Sequence, residues 1–269
     1  MKLLIDCGAT KADWCLSDGQ NRKLFRTPGF NLAQTPETVL QTILDDAALT
    51  CGPDVREVYL YAAGLVGEPG LNLGRWFPDA RILYASDMLG AARAVCGREP
   101  GIAAIIGTGA NTCQYDGQDI VRHVYSGGFI LGDEGSASVL GRRFVADFLK
   151  DQMPAPLSEA FRQAFKLDYP TLVSHVYGGE APARYLGSFA VFILSYYDKE
   201  EYVKALVDQN FKDFFERTVR QYDALPVGVV GGFGYACRDI LRELGAGYGI
   251  DFSTFLASPM EGLQESHGL

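Results

Sequence analysis

Asp6, Thr10 and Lys11 place a carboxylate, a hydroxyl and a cation within six residues of a loop that also holds Cys7, Gly8 and Ala9. Two apolar runs flank it, residues 3–5 and 12–16, so it reads as the tip of a β-hairpin. Small residues expose successive backbone N–H groups at such a tip, and those groups form a concave anion site. An Asp at the end of the first strand can hold a hard cation through water. This chemistry suits a nucleotide phosphate with its Mg²⁺, although an ordinary hairpin with a polar turn carries the same pattern.

The device recurs in the second half of the chain. An apolar run at 102–106 leads into Gly107, Thr108, Gly109, Ala110 and Asn111, and a strand-like run follows at 112–115. Gly and Thr again occupy a hairpin tip with little side-chain bulk. Two such tips could offer backbone and hydroxyl donors to phosphate from opposite sides.

Further candidates sit where strands end. Ser86 and Asp87 follow the strand-like run 81–85 and precede an Ala-rich helix at 88–96. Asp87 reads either as a helix N-cap or as a functional acid beyond the carboxyl end of a strand. Gly127, Gly128, Gly132 and Gly135 punctuate a loop that brings Asp133 and Glu134 to a helix at 136–148. Helix capping accounts for the acids but not for the density of glycine. A strand at 227–230 feeds Gly231 and Gly232 before a helix at 236–244, a turn that lets backbone lie against a flat ligand or a phosphate.

The elements that must position these groups follow from periodicity. Three strands come first, the third at 23–27. An amphipathic helix at 36–49, a strand at 58–63, a further helix in the segment around Pro69 and Gly70, and the strand at 81–85 follow. The second half repeats the three strands, its third at about 122–125. A helical stretch at 154–222 comes next, its aromatic faces suited to core packing or to a dimer surface. A last strand is expected at 248–252 and a short helix at 258–264. Mixed sheets with helical crossovers are the natural assembly, giving an α/β protein.

Composition narrows the function classes. A formal net charge of −9 argues against a general nucleic-acid binder. No apolar run approaches the roughly 20 residues that span a bilayer. A cytoplasmic protein is expected. The six cysteines, at 7, 15, 51, 96, 113 and 237, are scattered without a Cys-x-x-Cys pair, which disfavours a zinc knuckle and a disulfide framework.

Taken together, residues 6–11, Ser86-Asp87, residues 107–111, residues 127–136 and Gly231-Gly232 resemble, in order, the five motifs of the actin-like ATPase and sugar kinase superfamily. Within it the chain is similar to the N-acetylglucosamine kinases grouped with the ATPases of benzoyl-CoA reductase and hydroxyacyl-CoA dehydratase systems. The resemblance implies two ribonuclease-H-like domains with a nucleotide cleft between them: 1–101, joined by 258–269, and 102–257 with a helical insertion. It implies ATP and Mg²⁺, with Asp6 on the metal through water. Gly8, Ala9, Thr10, Lys11, Gly107, Thr108, Gly109, Gly231 and Gly232 would then contact the nucleotide. Asn31, Ala110, Asn111, Gly128 and Asp133 would contact a sugar, whose 6-hydroxyl would lose its proton to Asp87. A homodimer is expected.

Two departures stand out: Cys7 replaces a common Gly, and the sugar-side loop carries Phe129-Ile130-Leu131 where the animal enzymes have a Trp. Other functions share these motifs. One is an ATPase that activates a CoA-ester reductase through an iron–sulfur cluster, and another is a non-catalytic ATP-responsive binding protein.

Overall fold

The computed structural model describes residues 1–8, 11–32, 35–65, 70–179 and 181–269. Of the residues singled out above, Ala9, Thr10 and Pro69 lie outside that set. The chain divides into two compact units. One comprises Met1–Glu99, Asp116–Ile120 and Ser258–Leu269, and the other Pro100–Tyr115 and Val121–Ala257.

In the first unit, strands β1 (Lys2–Cys7), β2 (Lys11–Ser17) and β3 (Arg22–Pro28) are followed by helix α1 (Glu37–Cys51), β4 (Glu57–Ala62), β5 (Arg81–Ser86) and α2 (Asp87–Cys96). The sheet order is β3-β2-β1-β4-β5, with β2 antiparallel to β1 and β3, and β4 and β5 parallel to β1. Leu3, Leu4 and Ile5 are fully buried on this central strand, as expected where both faces of a sheet are covered. Among the described residues between β4 and β5, the expected helix is represented by a 3₁₀ turn, Leu73–Arg75. There Asn72 Oδ1 accepts from Gly74 N and the Tyr84 hydroxyl accepts from Leu73 N, which fixes the turn locally.

The second unit repeats the plan. Strands β6 (Gly101–Ile106), β7 (Ala110–Tyr115) and β8 (Ile120–Arg122) come first. Helices α3 (Gly128–Leu131), α4 (Ala137–Leu149), α5 (Ala155–Phe165), α6 (Tyr169–Tyr177), α7 (Pro182–Gly187), α8 (Ala190–Leu194) and α9 (Glu201–Arg217) follow. Strand β9 (Val227–Val230), helices α10 (Gly232–Ala236) and α11 (Arg238–Ala246), and strand β10 (Phe252–Leu256) complete its sheet. The order β10-β9-β6-β7-β8 is the first sheet's order read from the other side, with β7 antiparallel and β9 parallel to β6. These are the two ribonuclease-H-like sheets that the resemblance implies. Phe161, Phe189, Phe211, Phe214 and Phe215 are buried, so the aromatic faces of the helical stretch serve mainly as core.

Three boundaries differ from the periodicity reading, each for a local reason. Strand β8 starts at Ile120 instead of near Arg122, because Asp116 Oδ1 accepts from both Gln118 N and Asp119 N and closes the hairpin early. Residues 248–250 are not strand: Tyr248 N and Ile250 N both donate to Gly245 O, wrapping the end of α11. The chain turns into α10 within one residue at Gly231 (φ +123°), so Gly232 is already helical.

The first unit is completed by α12 (Met260–Ser266). A Cβ on Gly262 would lie 2.2 Å from Ala94 O, so only glycine lets α12 sit this close to α2. Tyr61 Oη accepts from Arg93 Nη1 at 3.0 Å and shares a hydrogen bond of 2.7 Å with His267 Nε2, its direction set by the imidazole tautomer. Burial, with Arg93 and Lys2, lowers the His267 pKa from 6.5 to about 4.

The unfolded chain thus takes up a proton near pH 6.5 that the native chain refuses until about 4, and stability falls as the pH drops through this window. Between pH 7 and 4.5 the wild-type protein should lose more urea-unfolding free energy than His267→Gln. Equal losses would show that the native imidazole is not held neutral.

Candidate active site

Strand register assembles a cluster of acidic residues in the first unit. Asp6 on β1 faces Asp13 on β2, and Asp13 faces Arg26 on β3, so one polar row crosses three strands. Asp13 carries two ion pairs, to Lys11 Nζ at 2.7 Å and to Arg26 Nε at 2.6 Å. Burial pushes its carboxyl up, but these two cations outweigh burial and hold it below the usual carboxylate range. Asp6 is pushed up to about 7 by burial, then by the charges of Asp13 and Asp87, against a smaller pull from Lys11. The row is therefore well neutralised at Asp13 and short of positive charge at Asp6.

Asp87 opens α2 directly after β5, at the carboxyl end of a strand parallel to β1 and β4. The N-cap is Ser86, whose Oγ accepts from Leu89 N at 3.1 Å. Asp87 Oδ1 accepts from Met88 N at 2.8 Å. The capping reading thus belongs to Ser86.

Asn31 lies just beyond β3, and Cys7 helps to hold it there. The thiol donates to Phe30 O at 3.2 Å and its sulfur accepts from Phe30 N at 3.3 Å. A glycine at position 7 would lack both contacts, so the departure from the family pattern has a structural role. Asn31 and Thr35 close a reciprocal turn, with Asn31 N donating to Thr35 Oγ1 and Thr35 N to Asn31 O. Gly8 N donates to Lys11 O across the hairpin tip.

The second unit supplies backbone donors. Strand β7 already contains Ala110 and Asn111, which leaves residues 107–109 as the tip. Its carbonyls are consumed by the start of α4: Ala137 N donates to Gly107 O and Ser138 N to Thr108 O. The N–H groups of Thr108 and Gly109 make no backbone hydrogen bond among the described residues. Such a tip, with its carbonyls engaged and its N–H groups available, can receive an anion. At Gly231 a Cβ would lie 2.5 Å from Ile106 O, so glycine is what allows that turn to pass against the end of β6. The space at Gly232 is open.

Asp133 is held in the left-handed region (φ +57°), a conformation that Asp tolerates better than most side chains and that concentrates at functional sites. Its Oδ2 packs where a Cβ on Gly109 would sit, 2.9 Å away. Burial raises its pKa, opposed by the Ala110 backbone N–H. Asp133, Ala110, Asn111, Ser126 and Glu134 line one small recess. Gly128 (φ +69°) starts α3 and does not line it.

Two residues at these centres were absent from the sequence reading. Asp13 was recoverable, since a hairpin closing at Cys7 and Ala12 must set position 13 opposite position 6. His123 was not, because it lies just after β8 and touches Asn111 only through folding. Its Nε2 is 2.8 Å from Asn111 Oδ1, which also accepts from Thr112 N. With its oxygen occupied, Asn111 is oriented to present its amide N–H groups as donors.

The structure matches that of a Porphyromonas gingivalis protein provisionally assigned as an N-acetylglucosamine kinase, with a TM-score of 0.94 and 39% sequence identity over 99% of this chain and 98% of that one. A second provisional N-acetylglucosamine kinase, from Chromobacterium violaceum, matches with a TM-score of 0.69 and 22% identity over 98% of both chains. A ROK family glucokinase from Streptomyces griseus, in complex with glucose and AMPPNP, matches at 0.57 and 14% identity over 98% of this chain and 97% of that one. The latter two share the fold. No protein-family model matches the chain, and no curated protein sequence matches it.

The coupling across the β1-β2-β3 row can be measured. Asp13→Asn removes one negative neighbour from Asp6 and frees Lys11 and Arg26 from their partner, so the Asp6 pKa should fall from about 7. Carboxyl-carbon NMR titration reads this, and an unchanged Asp6 would mean that burial alone sets its value.

Proposed function

Because the chain belongs to the sugar kinases of the actin-like ATPase superfamily, we propose that it transfers the γ-phosphoryl group of ATP to the 6-hydroxyl of an amino sugar, N-acetylglucosamine. The observation that carries the reading is Asp87, an acid at the carboxyl end of a parallel strand, directly after the N-cap Ser86. A carboxylate in this position can act as a general base, and ligands of open α/β sheets bind at that edge. The hydroxyl oxygen attacks the γ-phosphorus as its proton passes to Asp87, while the bond to the departing ADP oxygen breaks. Phosphoryl transfer asks mainly for positioning and charge neutralisation, so the protein needs few reacting groups.

The residues fit a Mg²⁺ ion at Asp6. Burial beside two other carboxylates leaves that group short of positive charge, and a hard dication supplies it. Among the described residues no three His, Cys, Asp or Glu side chains form a metal cage. One carboxylate with water and phosphate oxygens is the usual Mg²⁺ arrangement. When bound, the ion would offset charge on the nucleotide phosphates. Gly8, Ala9, Thr10 and Lys11 would contact the nucleotide phosphates. The N–H groups of Thr108 and Gly109 would also donate to phosphate oxygens, and Gly231 and Gly232 would admit the adenosine.

Asn31, Ala110, Asn111, Gly128 and Asp133 hold the acceptor. Asn111 donates and the Asp133 carboxylate accepts, a set suited to a neutral ring bearing hydroxyls. An iron–sulfur activase is not favoured: the six cysteines are scattered along the sequence without a Cys-x-x-Cys pair, whereas cluster ligation relies on diagnostic cysteine spacing.

Asp87→Asn should fold and bind ATP but lose at least about 10² in phosphoryl transfer, the low end for removal of a general base. Near-wild-type turnover would reduce Asp87 to a helix-terminus residue. Coupled assays of ADP release should also show N-acetylglucosamine preferred over glucose by kcat/KM, since a site that hydrogen-bonds an acetamido group is left unpaired without it. Equal efficiency on glucose would remove the acetamido selectivity while leaving sugar phosphorylation intact.

A further inference from the structure

A second recess lies wholly within the first unit. It encloses about 300 Å³ and is lined by Thr35, Glu37, Gln41, Asn72, Arg75 and Trp76 together with leucines. That volume is at the lower end of small-molecule sites, roughly 300–1,000 Å³. Trp76 is set firmly: its Nε1 donates to Asp45 Oδ1 at 2.7 Å, and the Arg75 guanidinium stacks 5.2 Å from its ring centroid. Arg75 and Glu37 approach to 4.0 Å, so the recess carries one charge of each sign. The remaining polar groups are a hydroxyl and two amides. An anchored aromatic beside neutral hydrogen-bonding groups, with no excess of positive charge, suits a neutral polyhydroxylated ring and not a phosphate.

Its position ties it to the acceptor. Leu32, which also lines the recess, donates its N–H to Ala63 O just past β4, and Ala63 N donates to Cys7 O at the end of β1. The recess therefore begins at the carboxyl edge of the sheet, where Asp6 and Asp87 lie. Thr35 forms part of its wall and is bonded in both directions to Asn31. We propose that this recess is an extension of the acceptor site that takes a second, neutral pyranose ring, so that an amino sugar bearing a glycosidic substituent is also phosphorylated. The proposal rests on the sugar-kinase reading above. The chemistry of the transfer is unchanged, and only the reach of acceptor recognition grows.

The chain has two tryptophans, one of them, Trp14, fully buried, so a change in tryptophan emission on ligand addition reports chiefly on Trp76. The β-1,4-linked disaccharide of N-acetylglucosamine should shift that emission and should be turned over with ATP. Trp76→Ala, and independently Gln41→Ala on the exposed turn of α1, should lower kcat/KM for the disaccharide about fivefold, the scale of one lost aromatic or polar contact. N-acetylglucosamine itself should change less than twofold on the same scale. Turnover of the monosaccharide with no emission change or turnover on the disaccharide overturns the recess alone, as do equal losses on both sugars. Turnover of neither sugar overturns the kinase reading, and this inference falls with it.

Discussion

The candidate site depends on how buried carboxylates are neutralised at one edge of a sheet. Charged groups are costly to bury unless paired, and the first unit buries Asp13 against two cations while Asp6 makes no ion pair among the described residues. The imbalance is built into strand register. Because β1, β2 and β3 run antiparallel without a slip, positions 6, 13 and 26 must line up, and a shift of one residue would send the row to the other face. Leu3, Leu4 and Ile5 make such a shift expensive, since all three are fully buried.

The second unit solves a different problem with the same sheet. In place of side-chain charge it arranges backbone. The first amides of α4 take the carbonyls of Gly107 and Thr108, and Asp133 occupies the space that a side chain at position 109 would need. Asn210 Nδ2 donates to Ser136 O from the buried face of α9, so the helical insertion braces the glycine loop from behind. Carboxylates in one half and amide donors in the other are the two kinds of group that phosphoryl transfer requires, for nucleophile and metal on one hand and for phosphate oxygens on the other.

Fold alone does not assign an activity, because one architecture carries many. Here the weight comes from particular residues on the shared fold: an acid at the carboxyl end of a parallel strand, a carboxylate short of counter-charge, and a hairpin tip with its carbonyls already engaged. Cys7 illustrates how a departure from the family pattern can be absorbed. Its thiol replaces the conformational freedom of glycine with two contacts to Phe30, which set the start of the segment that carries Asn31.

Much of this was legible from sequence because it is local. Apolar runs flanking glycine tips marked β1-β2 and β6-β7, and strand β9 spans the run read for it. Periodicity located α1, α2 and α4 to within a few residues, since burying one face of a helix or strand imposes a fixed spacing. Where tight turns replaced regular structure, as after β4, at Asp116 and after α11, the pattern misled, because single hydrogen bonds and not periodic burial decide those segments. Only the tertiary structure could give Ser86 the cap, set His123 against Asn111, and bury Asp6 beside the charges of Asp13 and Asp87. Each of these depends on which groups meet across strands or loops distant in sequence, and on how far water is excluded when they do. Residue order alone records neither.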